Sequence, residues 1–68
     1  MQSLRKLRNE RLLTQGEVAY KLGVAPETYN RLELGKHMPR VGLIRRLAEF
    51  YGVDPGELRD ALTKAVAG

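Results

Sequence analysis

The segment Gln15 to Glu33, QGEVAYKLGVAPETYNRLE, constrains this chain more than any other stretch. It reads as two short helices joined by a tight turn at Gly23. Val18, Ala19 and Leu22 fall on one face of the first helix, and Val24, Tyr29 and Leu32 supply the facing apolar positions after the turn. Ala19 stands where a larger side chain would hold the two helices apart. Gly23 lies just past the first helix, where a positive φ is needed and a Cβ is penalised. Thr14-Gln15-Gly16-Glu17 opens the pair as a capping box: the hydroxyl caps the Glu17 amide and the carboxylate reaches back. Pro26 occupies the first position of the second helix, where its missing N–H costs nothing. Ala25 before it is a poor N-cap, worse than Ser or Thr by about 1 kcal/mol. Glu27 in the first turn offsets part of that through the helix dipole.

The remainder of the chain adds three more helices and no segment that alternates with period two, so the expected class is all-α. The first helix spans about Ser3 to Arg11, with Leu4 and Leu7 inward. Gly35-Lys36-His37-Met38-Pro39 is a loop by composition. A fourth helix over about Val41 to Tyr51 carries Val41, Ile44, Leu47, Ala48 and Tyr51 on one stripe and stops at Gly52. Asp54-Pro55-Gly56-Glu57 then opens a fifth with an N-cap, a proline at the first position and an early acidic residue. Leu58, Ala61, Leu62, Ala65 and Val66 form its apolar stripe, longer than one small core needs. Either this helix extends to about residue 66 as a dimer seam, or it frays after Leu62. Sixty-eight residues are expected to form a single domain, 1–68, with its core over about 3–62. Helices two and three make a helix-turn-helix, whose second helix in DNA-binding proteins enters the major groove.

Charge is distributed to suit such a ligand. The net charge is +4. Arg5, Lys6, Arg8 and Arg11 against Glu10 give the first eleven residues a local +3. Lys21 and Arg31 against Glu17, Glu27 and Glu33 give the helix-turn-helix a local −1, and Lys36 and Arg40 follow it in the loop. Basic residues therefore flank the second helix of the pair, an arrangement suited to phosphate contact beside a groove-inserted helix. A chain without cysteine has neither disulfides nor thiolate metal sites. His37 is the single histidine and has no ligating companion nearby in sequence, the carboxylates sit at caps and on helix faces, and no phosphate-binding loop occurs. An enzyme, a metal site and a cofactor are not expected. The N-terminal MQSLRKLRNERLL has no long apolar run, so neither a signal peptide nor a membrane span is expected, and a cytoplasmic protein is.

The chain resembles the Cro/repressor-type, Xre-like group of helix-turn-helix regulators. Leu4 and Leu7, Thr14-Gln15, Val18-Ala19, Leu22-Gly23-Val24, Thr28, Arg31-Leu32-Glu33, Gly35-Lys36, Pro39, Leu47-Ala48, Gly52-Val53 and Glu57-Leu58 carry the resemblance in order and spacing. It implies a compact five-helix, lambda-repressor-like DNA-binding domain that engages double-stranded DNA as a homodimer. By position, Gln15 resembles the family's glutamine at a helix N-terminus that meets a phosphate; otherwise it is a solvent-exposed glutamine. Lys36 matches a loop position that contacts backbone phosphate, and Arg40 joins it. Glu27, Thr28, Asn30 and Arg31 occupy the reading helix as base contacts. Arg31 either reaches guanine or a phosphate, or braces Glu27 one turn earlier. Arg8 and Glu33 match an ion pair between the first helix and the end of the third. Pro26 and Glu27 depart from the polar or basic residues that related regulators place there. Tyr29 replaces an aliphatic residue, its ring expected in the core and its hydroxyl toward the surface.

The function expected from these residues is a sequence-specific transcriptional regulator, a repressor occupying an inverted-repeat operator. The competing reading is a protein-interaction module or antitoxin-type protein with weak or secondary DNA binding and a protein partner. The local −1 on the helix-turn-helix is the feature that favours the competitor.

Overall fold

The computed structural model describes residues 2–67, which fold into five helices: α1 (Leu4–Glu10), α2 (Gln15–Leu22), α3 (Pro26–Glu33), α4 (Val41–Tyr51) and α5 (Pro55–Ala67). No strand occurs among the described residues. Each start has a local cause. The Ser3 side chain accepts from the Lys6 amide ahead of α1. The Thr14 hydroxyl accepts from the Glu17 amide at 3.1 Å while the Glu17 carboxylate accepts from the Thr14 amide at 2.8 Å, completing the capping box on α2. Asp54 accepts from the Glu57 amide at 3.0 Å at the start of α5. Ala25 gives α3 no side-chain cap, as its methyl group dictates.

α2 packs on α3, α1 on α3, α2 on α4, and α4 on α5. The shared core holds Val18, Ala19 and Leu22 of α2, Tyr29 and Leu32 of α3, and Leu47 and Tyr51 of α4, all nearly without solvent contact. Ala19 is fully buried where α2 meets its neighbours, so a larger side chain has no free space there. Gly23 ends α2 at φ +74°, the left-handed conformation its missing Cβ permits.

α5 runs to Ala67, so the helix continues beyond Leu62 rather than fraying there. Leu58 and Leu62 are buried, and the stripe beyond them emerges into solvent, with Ala65 and Val66 exposed. The last turns are nevertheless seated. Gly35 has φ +68°, and a Cβ built on it would lie 2.9 Å from the Ala65 carbonyl oxygen, so the loop after α3 presses against the α5 backbone.

Val41 departs from the expected inward stripe of α4. It is 61% exposed, because the first residue of the helix overhangs the core that Ile44, Leu47, Ala48 and Tyr51 fill. Two arginines act as staples. Arg11 donates to the Leu7 carbonyl at 2.8 Å and the Tyr51 carbonyl at 2.6 Å, with its guanidinium 5.2 Å from the Tyr51 ring centre. Arg46 donates to the Leu22 carbonyl at 2.8 Å, bringing a cation to the C-terminus of α2.

Candidate nucleic-acid interface

The face of α3 that lies away from the core is set by the two residues that anchor it. Tyr29 and Leu32 are buried, and this turns Pro26, Glu27 and Arg31 outward into solvent. Thr28 and Asn30 lie half-buried at the edges of the same face. Pro26, Glu27, Asn30 and Arg31 line one open hollow with Gln15, the first residue of α2. The fold therefore brings four of the residues expected at a DNA surface, Gln15, Glu27, Asn30 and Arg31, to one place. Among the described residues Arg31 makes no ion pair with Glu27, so its guanidinium stays available to an external acceptor.

Lys36 and Arg40 are both exposed in the loop that follows α3. The Lys36 amide donates to the Arg31 carbonyl at 3.1 Å, which ties the loop to the end of α3. Pro39 is buried between the two cations and anchors the loop. His37 and Met38 stand with Arg40, Leu43 and Arg46 around a second open groove.

Away from the exposed face of α3, Arg8 of α1 meets Glu33 at the end of α3. Its Nε donates to Glu33 Oε2 at 2.6 Å, its Nη2 to Oε1 at 3.1 Å, and its Nη1 to the Leu13 carbonyl at 3.0 Å. Gln15 Nε2 donates to Glu33 Oε1 at 2.9 Å, and Gln15 Oε1 accepts from Asn30 Nδ2 at 3.3 Å. Burial pushes the Glu33 carboxyl up. The hydrogen bonds from Arg8 and Gln15, the neighbouring Tyr29 hydroxyl and the Arg8 charge outweigh it and hold the carboxyl below its ordinary value. The same bond to Glu33 raises the Arg8 guanidinium further, so both members stay ionised. Pairing Glu33 with Arg8 cancels the local −1 of the helix-turn-helix. The remaining charges of the segment, Glu17 and Glu27 against Lys21 and Arg31, balance.

Three arrangements here were not read from the sequence. Gln15 is hydrogen-bonded to Glu33 and Asn30 rather than standing free in solvent, leaving one of its two amide hydrogens and the Gln15 and Gly16 backbone amides for a ligand. Tyr29 is fully buried, and its hydroxyl shares a hydrogen bond with that of Tyr51 instead of reaching the surface. Burial pushes the Tyr29 phenol well up, so it stays neutral near pH 7. Arg11 is committed to internal contacts as Arg8 is, so Arg5 and Lys6 keep the exposed charge of the N-terminal helix. No local pattern signals these pairs. The tyrosines stand 22 residues apart, and Gln15 and Asn30 stand 15 apart.

No cluster of three or more potential metal ligands occurs among the described residues. No helix there is long and apolar enough to cross a membrane.

Comparison with known proteins gives a concordant set of findings. A family model described as a helix-turn-helix domain matches residues 2–62. The chain is 46% identical over 55 residues to the cryptic phage CTXphi transcriptional repressor RstR of Vibrio cholerae, covering 81% of this chain and 50% of that protein. It is 44% identical over 41 residues to an uncharacterized HTH-type transcriptional regulator of Methanocaldococcus jannaschii, covering 60% of this chain and 62% of that one. The chain thus spans only about half to three fifths of the length of these relatives. No solved structure matches it significantly.

Proposed function

The chain belongs to the helix-turn-helix domain family, and on that premise we propose that it is a sequence-specific DNA-binding transcriptional regulator, a repressor that occupies an inverted-repeat operator as a homodimer. The observation that carries this reading is the outward face of α3. Its anchors are buried, and Glu27, Thr28, Asn30 and Arg31 are left at or near the surface with two exposed loop cations beside them. A helix held in this way enters a major groove by its exposed face. Lys36 and Arg40 then neutralise phosphates, Gln15 meets a phosphate at the N-terminus of α2, and the four α3 residues read base edges. Arg31 reaches guanine O6 and N7, Glu27 accepts from cytosine N4, and Pro26 offers only apolar contact, to a thymine methyl. The similarity to a named phage repressor supports repression as the mode of action. The cytoplasm is its proposed place of work. The charge that favoured a protein-interaction module is cancelled internally by Arg8, which leaves DNA as the stronger reading.

The division of labour is tested with two variants on a panel of DNA sites. Lys36→Ala is expected to weaken binding to all sequences and to lower the salt slope by about one. Arg31→Ala is expected to change which sites are preferred. Identical behaviour of both variants across the panel contradicts the assignment.

A further inference from the structure

Pro26 and Glu27, the first two residues of α3, bring two unlike chemical demands to one place. Both are exposed. Neighbours on a helix point about 100° apart, yet these two border the same open hollow with Gln15, Asn30 and Arg31. The Glu27 carboxylate forms no ion pair among the described residues, and a carboxylate can only accept hydrogen bonds. Phosphates repel it, so it is favoured in a groove only opposite a donor. Along the major-groove edge the donors are the exocyclic amines, cytosine N4 and adenine N6. Pro26 has no N–H, and its ring offers carbon surface alone. The carbon that a base presents there is the C5 methyl of a pyrimidine.

The four unmodified bases never answer both demands at once. Thymine carries the C5 methyl, but beside it stands O4, an acceptor that repels the Glu27 carboxylate. Cytosine carries the N4 donor with only hydrogen at C5. Adenine has a donor and no methyl, and guanine has neither. One base has both, on adjacent ring carbons: 5-methylcytosine. Resting on the reading of α3 as the DNA-reading helix, we propose that Pro26 and Glu27 together form a site for 5-methylcytosine, Glu27 accepting from N4 and the Pro26 ring covering the C5 methyl. The pyrrolidine ring has no rotamers to lose, so the apolar half of the contact costs no side-chain entropy. The methyl adds carbon surface to the base without removing any of its polar groups.

The experiment selects bound sites from two random double-stranded libraries, one made with cytosine and one with 5-methylcytosine. The affinity of the enriched site is then measured with each of its cytosines methylated singly. One position should bind about 4-fold tighter when methylated, the value of burying one further carbon. Thymine at that position should bind more weakly than either form of cytosine, because its O4 faces Glu27. Pro26→Ser removes the apolar ring and should abolish the gain from methylation. Glu27→Ala should erase the discrimination against thymine there. Circular dichroism checks that each variant is folded, and the wild-type comparison of methylated and unmethylated sites decides the proposal without them. No gain from methylation at any cytosine, or a gain that folded Pro26→Ser retains, overturns the inference and leaves the regulator reading intact. Thymine bound as tightly as 5-methylcytosine overturns it as well, since the methyl alone is then being read. Enrichment from neither library rejects the regulator reading and the site with it.

Discussion

Replacing Arg8 with alanine removes three hydrogen bonds at once, two to Glu33 at 2.6 and 3.1 Å and one to the Leu13 carbonyl at 3.0 Å. The Glu33 side chain is only 4% exposed, so the variant leaves a nearly buried carboxylate with no cation and only the Gln15 amide and the neighbouring Tyr29 hydroxyl beside it. Removing one member of a buried ion pair costs about 3–5 kcal/mol. Arg8 itself is 13% exposed, and water reaching the vacated space lowers the expected loss to roughly 2–3 kcal/mol. A domain of this length has about 3–10 kcal/mol in total, so the loss is a large fraction of its stability. Arg5, an exposed residue on the same helix, serves as the control, and Arg5→Ala should change stability by less than about 0.5 kcal/mol. The assay is urea unfolding at pH 7 followed by helical circular dichroism. At a slope near 1 kcal/mol per molar for a small domain, the Arg8→Ala midpoint falls by about 2–3 M. Acid supplies a second reading. Because the folded-state pKa of Glu33 is lowered, its contribution is full above the unfolded carboxyl value of about 4.3 and is lost as pH falls through the folded value. The gap between wild type and Arg8→Ala should therefore narrow below that pH. Equal small losses for Arg8→Ala and Arg5→Ala, or a gap that does not change in acid, would refute the reasoning.

Four further outcomes are expected from thermal or urea melts. Ala25→Ser supplies the missing cap on α3, whose N-cap residue already has extended backbone at φ −68° and ψ 148°, and should add about 0.5–1 kcal/mol. Leu12 is 91% exposed with φ +55°, a conformation that asparagine tolerates better than leucine, so Leu12→Asn should raise the melting temperature by a few degrees, about 0.5–1 kcal/mol. Gly35→Ala combines a positive φ with a Cβ driven to 2.9 Å from the Ala65 carbonyl oxygen and should cost more than about 1 kcal/mol. Gly42→Ala, in α4 with nothing near its virtual Cβ, should instead stabilise by up to about 1 kcal/mol.

Local chemistry made most of the fold legible in the sequence. The Thr14–Glu17 box, Pro26 at a helix start, Gly23 and Gly52 at helix ends and the period of α4 each act within a few residues. Helix boundaries accordingly came within a residue or so of those observed. Burial was legible where a stripe lies mid-helix and illegible at its end. Val41 stands at the margin of the stripe that Ile44 and Tyr51 occupy, in the first turn of α4, and stays exposed. The expected DNA-contacting residues were named from a family resemblance, whereas their hydrogen-bonding state depends on partners far apart in the chain. Gln15, Asn30 and Glu33 form one network only because α2 and α3 cross over Ala19. Arg46 caps α2 from α4, and neither residue type nor spacing signals such a contact. The charge ledger depends on distance in the same way: the −1 counted along Gln15 to Glu33 is cancelled by Arg8 of another helix, a pairing that only the family resemblance implied.

Selection of bound sites from random double-stranded DNA at two salt concentrations tests the central claim most directly. The account predicts enrichment of one inverted repeat whose half-sites lie about one helical turn apart, with binding that weakens as salt rises. No enriched sequence at either concentration, together with binding indifferent to salt, would contradict it.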